Sequence, residues 1–338
     1  MSALQNENPA IRPRIGFLGV GRIGRLRMES LLDSGLIDAV GIADPSPDMA
    51  EEAARLVPET ERAGSFNDLL SLDLDGLVIA TPSALHAEQA ITALERGLAV
   101  FCQKPLGRTA AEVAAVVEAA ERNDRLLGVD LSYRHLQGVE RIRELLAAGE
   151  LGHVFSIDLT FHNAYGPDKP WFYDRALSGG GCVVDLGVHL VDLALWSLDF
   201  PAVRSVTSHL KSGGQTMGAG AQGVEDFAVA TVELETGTIL RLACSWHLHA
   251  GRDAVIEAQF YGDKGGASFS NVGGSFLDFR ADRFSGTRSE PLAEGPDAWS
   301  GRAACAWARR LAKSRAFDPE ARGLVRVSEV LDAIYANA

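Results

Sequence analysis

Cysteine is scarce in these 338 residues: Cys102, Cys182, Cys244 and Cys305 stand far apart, with no CxxC or zinc-ligand spacing. That argues against a disulfide framework and a structural metal, and the four thiols read as reduced, buried small hydrophobes suited to the cytoplasm. Positive charge is also short. With 32 Lys and Arg against 45 Asp and Glu the net charge is −13, and no basic stripe offers the footprint that nucleic acid requires. No apolar run approaches the roughly 20 residues of a membrane-spanning helix, so no membrane partner is expected. The polar segment Met1 to Arg14 lacks the apolar core of a signal peptide and reads as a short disordered tail. His247 and His249 fall on opposite faces of an extended chain, so no metal site is read there.

The length implies about two domains, at roughly 100–200 residues each. From Arg14 to Ser132, five short apolar runs (15–19, 39–43, 77–80, 98–102 and 126–129) alternate with segments of helical spacing. That is the pattern of βαβ units, and the unbroken apolar runs suit parallel strands covered on both faces. Ser83 and Thr109 are placed to cap two of the helices. Residues 1–132 are therefore expected to form an α/β, doubly wound parallel sheet. From 133 to 338 the pattern changes to a helix near 138–148, a strand over 154–162, a helix near 184–198, and period-2 strands near 203–210, 226–235, 238–246, 255–261 and 267–270. Glu235 to Thr238 and Gly262 to Gly265 carry hairpin chemistry. The second half is thus expected to be α+β, an open and mainly antiparallel sheet with helices, and Ser212 to Gly223 a mobile loop.

The first run leads into Gly19-Val20-Gly21-Arg22-Ile23-Gly24, a G-x-G-x-x-G placed between strand and helix. In that context Gly19 permits the tight turn, Gly21 admits a pyrophosphate, and Gly24 lets the helix pack on the strand, with Arg22 and Ile23 opening the helix whose N-terminus faces the phosphates. Asp44 follows Gly24 by 20 residues at the end of the second run, where a carboxylate accepts from the adenosine ribose. It would repel a 2′-phosphate, and Pro45-Ser46-Pro47 offers no cation, so NAD is favoured over NADP; the alternative is that Asp44 merely opens a turn. Ala80, Thr81 and Pro82 stand where a parallel sheet meets ligands, and His86 is either a further cofactor contact or a polar residue of the first helical turn.

Two distant strings suit proton handling: Gln103-Lys104-Pro105 after an apolar run, and Gly179-Gly180-Gly181 followed by Asp185 and His189, four apart and so on one helix face. A histidine titrating near working pH can take the proton of an alcohol, and a positioned lysine can hold the oxygen as charge develops. The triple glycine is expected to let backbone approach substrate or nicotinamide. Tyr133, Arg134, His162, Trp171, Tyr173 and Asp174 are candidates for a substrate wall, although core packing accounts for the aromatics as well. Arg134 either recognises an acidic substituent or ties domains together, and Asp192 either orients His189 or faces water.

In order and spacing, the fingerprint, Ala80-Thr81-Pro82-Ser83-Ala84-Leu85-His86, Cys102-Gln103-Lys104-Pro105, Tyr133-Arg134, the stretch from Gly179 to Asp192, and Cys244-Ser245-Trp246 with the Gly262 hairpin resemble the Gfo/Idh/MocA oxidoreductase family over nearly the whole chain. The resemblance implies a Rossmann domain, a C-terminal open sheet used for homo-oligomer contacts (dimer or tetramer), and reversible NAD-dependent oxidation of a sugar or cyclitol secondary alcohol. It places the family's EKP lysine on Lys104 and its D-x-x-x-H pair on Asp185 and His189. One position departs from the pattern: the family's glutamate is Gln103, a neutral amide in a cofactor-side position. The rival readings are an NAD-dependent sensor without turnover and an NAD-assisted redox glycosidase.

Overall fold

The structure, a computed structural model, describes residues 12–218, 221, 223–293, 295, 297 and 299–338. The expected terminal tail lies almost entirely outside the described residues, and so does part of the expected loop over 212–223. The chain divides into two compact units, Met1–Leu106 with Ala115–Asp130 and Ser300–Ala321, and Gly107–Ala114 with Leu131–Trp299 and Arg322–Ala338.

In the first unit, β1 (Arg14–Leu18), α1 (Arg22–Asp33), β2 (Asp38–Ala43), α2 (Pro47–Ala54), β3 (Glu61–Arg62), α3 (Phe66–Leu70), β4 (Gly76–Ile79), α4 (Ser83–Glu95), β5 (Ala99–Cys102), α5 (Ala110–Arg122) and β6 (Leu127–Val129) follow one another. The six strands are all parallel, in the order β3-β2-β1-β4-β5-β6. That order reverses between β1 and β4, which opens a crevice at the strands' carboxyl ends where such sheets take ligands. The five apolar runs fall on β1, β2, β4, β5 and β6. β3 was not anticipated, because two residues carry no period.

Ser83 does not cap its helix: the N-cap is Pro82, without a side-chain bond. Thr109 does serve α5, its hydroxyl accepting the Glu112 N–H at 3.2 Å. The boundary expected at 132 is also incomplete, since Ser300–Ala321 returns to the first unit. There α9 (Arg302–Leu311) lays Trp307 and Leu311 on the sheet, where a Cβ at Gly76 would stand 2.9 Å from the Trp307 ring. Its amphipathic face has a partner far back in the chain, which no local pattern identifies.

The second unit holds α6 (Gln137–Ala147), β7 (Val154–Asn163), α7 (Arg175–Ser178), a π-turn (Val183–Gly187), α8 (Val188–Ser197), β8 (Val203–Ser212), β9 (Gln215–Met217), β10 (Phe227–Leu234), β11 (Ile239–Ser245), β12 (Ala254–Gly262), β13 (Gly266–Asn271), β14 (Phe279–Ser285), β15 (Arg288–Ala293) and α10 (Gly323–Ala336). Among the described residues, nine strands form one sheet in the order β15-β14-β13-β12-β7-β11-β10-β8-β9. It is mixed but mostly antiparallel, since β7 runs parallel to β11 and antiparallel to β12. Both expected hairpins are present. β9, β14 and β15 escaped notice because their side chains show no clean alternation of burial.

Residues 157, 159 and 161 of β7 are buried on the face that meets α8. By length and composition the helical stretch Arg175–Ser197 would pass for a membrane span, which corrects the expectation that no run comes near that length. Most of it is core, 72% of its most apolar window being buried in the protein.

Candidate active site

The candidate nucleotide site belongs to the first unit. Gly19 turns at φ +80°, and a Cβ there would strike the Ala80 carbonyl carbon at 2.7 Å, while one at Gly24 would lie 2.0 Å from the Gly19 oxygen. Both glycines are required by the fold itself. Gly21, the N-cap of α1, differs: a Cβ on it would meet nothing within 4 Å. It borders open space beside the exposed first-turn residues Arg22 and Ile23, the arrangement that a pyrophosphate on helix amides needs. Asp44 braces this turn, Oδ2 accepting the Val20 N–H and Oδ1 the Ser46 N–H, each at 2.8 Å. Each oxygen retains a lone pair for a ribose hydroxyl.

Ala80, Thr81 and Pro82 lie partly exposed after β4, and Gln103 and Lys104 after β5, all at the carboxyl edge. His86 does not join them as a cofactor contact. It is 1% exposed, and its Nδ1 and Nε2 lie 2.6 Å from the carbonyl oxygens of Pro105 and Thr81, so it ties the Thr81 loop to the turn at Lys104. Burial pushes its pKa down, against the two carbonyls, and the Lys104 charge adds to the lowering.

The second unit carries candidate residues of its own. Along 181–197 every residue is buried except Asp185 and His189. A helix sealed elsewhere thus opens at one spot, and the π-turn carrying Asp185 is the kind of local widening that recurs at functional sites. The Trp246 indole N–H donates to Asp185 Oδ2 at 3.1 Å. His189 rests edge-on against the Tyr133 ring at 5.0 Å, with Phe161 behind at 6.2 Å. Tyr133 is therefore a floor rather than a wall: 8% exposed, packed on Phe269 and Phe279, its hydroxyl pKa raised by burial and then by the Asp185 charge.

Arg134 and Asp192 resolve each other. The guanidinium makes Nε and Nη2 bonds to the Asp192 carboxylate, with side chains only 12% and 4% exposed. This bidentate pair fills the fork that an acidic substrate would have used, and Asp192 is buried rather than facing water. His162 belongs to the opposite sheet face from Phe161, because successive strand residues alternate; its Nδ1 meets the Ser245 hydroxyl at 2.8 Å. Asp174 caps α7 by accepting the Ala176 N–H.

Of the proposed wall, Tyr173 stays near Asp185. Tyr173 is 45% exposed and packs edge-on to Trp246 at 5.6 Å, its pKa raised by burial and then by Asp185. Trp171 stacks on Phe172 at 3.8 Å. The triple glycine does not serve approach to a ligand. A Cβ at Gly180 would fall 1.9 Å from the Tyr335 hydroxyl, and one at Gly181 would fall 1.9 Å from the Glu225 carbonyl oxygen, so protein fills the space instead.

Residues 13–131 match the family described as oxidoreductase family, NAD-binding Rossmann fold, and residues 139–268 the family described as GFO/IDH/MocA C-terminal domain. The chain belongs to the Gfo/Idh/MocA oxidoreductase family. Among its relatives, D-glucoside 3-dehydrogenase of Escherichia coli is 27% identical over 270 residues, 75% of this chain and 76% of the relative. The dTDP-3,4-didehydro-2,6-dideoxy-alpha-D-glucose 3-reductase of Saccharopolyspora spinosa is 30% identical over 256 residues, covering 75% and 73%. Levoglucosan dehydrogenase, solved with NADH and levoglucosan, superposes with a TM-score of 0.83 at 21% identity, covering 97% of each chain. NAD is the cofactor class of this family member, and the open space at Gly21 fits it.

Sequence reasoning missed Trp246 and Glu225 as site residues. Glu225 is 1% exposed and accepts from the Gly181 N–H (3.0 Å), the Val183 N–H (2.8 Å) and the Tyr335 hydroxyl (2.8 Å), anchoring the turn that carries Asp185. The next residue, Asp226, holds Trp246 by a carbonyl bond of 2.7 Å. A lone glutamate before a strand gives no sign of this in sequence. Burial raises the Glu225 pKa above its ordinary 4.5, against those hydrogen bonds. An acid whose folded pKa is raised gives its full stability below the unfolded value and loses it as pH rises through the folded one, by at most about 1.4 kcal/mol per pH unit. The melting temperature of the parent relative to Glu225→Gln is therefore expected to fall as pH rises from 4.5, which paired thermal scans read directly.

Proposed function

We propose that the protein is an NAD-preferring dehydrogenase or ketoreductase acting on a secondary alcohol of an uncharged pyranose or cyclitol. The observation that carries the reading is the single opening in an otherwise buried helix at Asp185 and His189, in a chain whose Rossmann unit presents Lys104 at its carboxyl edge. In the proposed step His189 takes the hydroxyl proton, Lys104 donates a hydrogen bond to the same oxygen and stabilises its growing negative charge, and Asp185 orients a neighbouring hydroxyl. Bound NAD supplies the acceptor for the hydride that leaves the carbinol carbon. The products are ketone, NADH and one proton.

Three features support the finer choices. Asp44 without a nearby cation in Pro45-Ser46-Pro47 favours NAD. The wall beside Asp185 is aromatic, suited to the apolar face of a sugar ring, while Arg134 is committed to Asp192 and the Arg175 guanidinium to the Ala221 carbonyl and the Tyr335 ring. Both curated relatives act at carbon 3 by their names, so carbon 3 is the proposed position.

A panel of glucosides, levoglucosan, cyclitols, glucose 6-phosphate and a nucleotide sugar, followed by NADH absorbance in both directions, tests this reading. The expected result is kcat/KM for an uncharged sugar at least about tenfold above its phosphorylated counterpart, and NAD bound at least about tenfold tighter than NADP. Preference for the phosphorylated sugar refutes the substrate reading, and tighter NADP refutes the cofactor reading. Turnover of a chromogenic glycoside without net NADH would favour a redox glycosidase instead.

We also place the protein in the cytoplasm as a homo-oligomer joined through the sheet face opposite α8. That face holds a shallow groove of about 480 Å³ with Asp158, Thr160, Thr207, His209 and Arg241 along it. Light scattering of the purified chain reads its assembly.

A further inference from the structure

Position 103, where the family carries glutamate, is explained by a residue on the neighbouring strand. β5 and β6 lie side by side, and each is followed at its carboxyl end by a polar residue, Gln103 and Asp130. The Gln103 N–H donates to the Ile79 carbonyl at 2.8 Å and the Asp130 N–H to the Cys102 carbonyl at 2.9 Å, so both backbones continue the sheet. Gln103 Nε2 donates to Asp130 Oδ2 at 2.9 Å, and Gln103 Oε1 accepts the Lys104 N–H at 2.9 Å. Asp130 Oδ2 also receives Arg27 of α1, the two side chains being 0% and 4% exposed. On the other side of the turn, His86 Nδ1 reaches the Pro105 carbonyl oxygen.

We propose that Gln103 is a positioning residue: a strut that joins the nucleotide-binding helix α1, through Arg27 and Asp130, to the backbone of Lys104, and that Gln103 and Asp130 work only as a matched pair. An amide donates from one end and accepts at the other, which is what Asp130 and the Lys104 N–H require. A glutamate here would face the Asp130 carboxylate where little water reaches. Two carboxylates so placed cannot both stay ionised cheaply, and one would hold a proton near neutral pH. Gln103 and Asp130 are then complementary, an amide set against a buried carboxylate that also holds Arg27. This inference rests on the reading of Lys104 as the group that holds the substrate oxygen.

The test compares the full-length NAD-loaded parent with Gln103→Glu, Asp130→Asn and the double variant. Gln103→Glu is expected to lose about tenfold in kcat near pH 8 and to regain it on acidification, with the Kd for NAD changed less than about threefold. Adding Asp130→Asn should recover most of the loss at pH 8, because the new amide donates to the introduced carboxylate. A parent-like pH profile for Gln103→Glu, or losses that simply add in the double variant, overturns the proposal. If Gln103→Glu does not fold, Gln103→Leu substitutes for it: lowered kcat with NAD binding intact is expected, and an unchanged kcat overturns the strut. Should the parent turn over no sugar at all, the dehydrogenase reading fails by itself. The melting temperatures of the four proteins still measure the coupling of positions 103 and 130, and additive shifts there refute the pair.

Discussion

Exchanging Lys104 for alanine is expected to lower kcat about 10³-fold while NAD still binds with near-parent affinity. The side chain stands at the carboxyl end of β5, its backbone bonded to Gln103 and its turn tied down by His86. In the proposed step such bracing would hold an ammonium where negative charge grows, and a positioned charge of this kind, together with acid–base catalysis, commonly contributes factors of about 10²–10⁴. His189→Ala is expected to cost a similar factor, which an added base such as imidazole would partly restore. In the proposed step both groups serve one oxygen, and on that reading the double variant should be little worse than either single one. Stopped-flow absorbance of NADH on folded variants decides this. Turnover within a few-fold of the parent for either single variant would remove that residue from the chemistry.

Two alanine substitutions, at Gly181 and Gly21, are expected to fail in opposite ways. A Cβ on Gly181 would sit 1.9 Å from the Glu225 carbonyl oxygen and 2.9 Å from the Glu225 carbonyl carbon and amide nitrogen, all backbone atoms that no rotamer change can move. The strand entry must shift instead, and with it the bonds from Glu225 to the Gly181 and Val183 amides. A loss of about 3 kcal/mol, or about 10 °C in melting temperature, is the expected scale. On Gly21 the same methyl meets nothing, so the apoprotein should melt within about 1 °C of the parent while the Kd for NAD rises at least about tenfold. Thermal scans with and without NAD separate the two. A Gly181→Ala protein as stable as the parent would show that the contact with Glu225 relaxes easily, and unchanged NAD affinity in Gly21→Ala would remove the pyrophosphate from that turn.

The candidate site was readable wherever its signal is local. Gly19, Gly24 and Asp44 sit within one βαβ unit, and Asp185 and His189 within one helix, so spacing alone brought each group together. Long-range pairings were not readable. Arg134 looked like a substrate ligand because nothing near it in sequence announces Asp192, 58 residues on. His86 looked like a cofactor contact because the carbonyl it needed lies past β5. The triple glycine suggested a ligand approach, whereas the atoms it accommodates belong to Glu225 and Tyr335, from a loop and the last helix.

By itself the order of residues determined the parallel Rossmann half, the glycine turn at its crevice and the spacing of Asp185 and His189, four residues apart. Each of these follows from hydrophobic period and turn chemistry acting over fewer than about 30 residues. Only the folded chain decided which polar groups are already occupied. Arg27 and Asp130, Arg134 and Asp192, and Glu225 with the Asp185 turn are matched across separations of 103, 58 and 42 residues. Such pairs are selected by burial, since a charge or amide removed from water must find its complement among whatever side chains the packing brings beside it. That choice has no footprint in the local pattern of either partner.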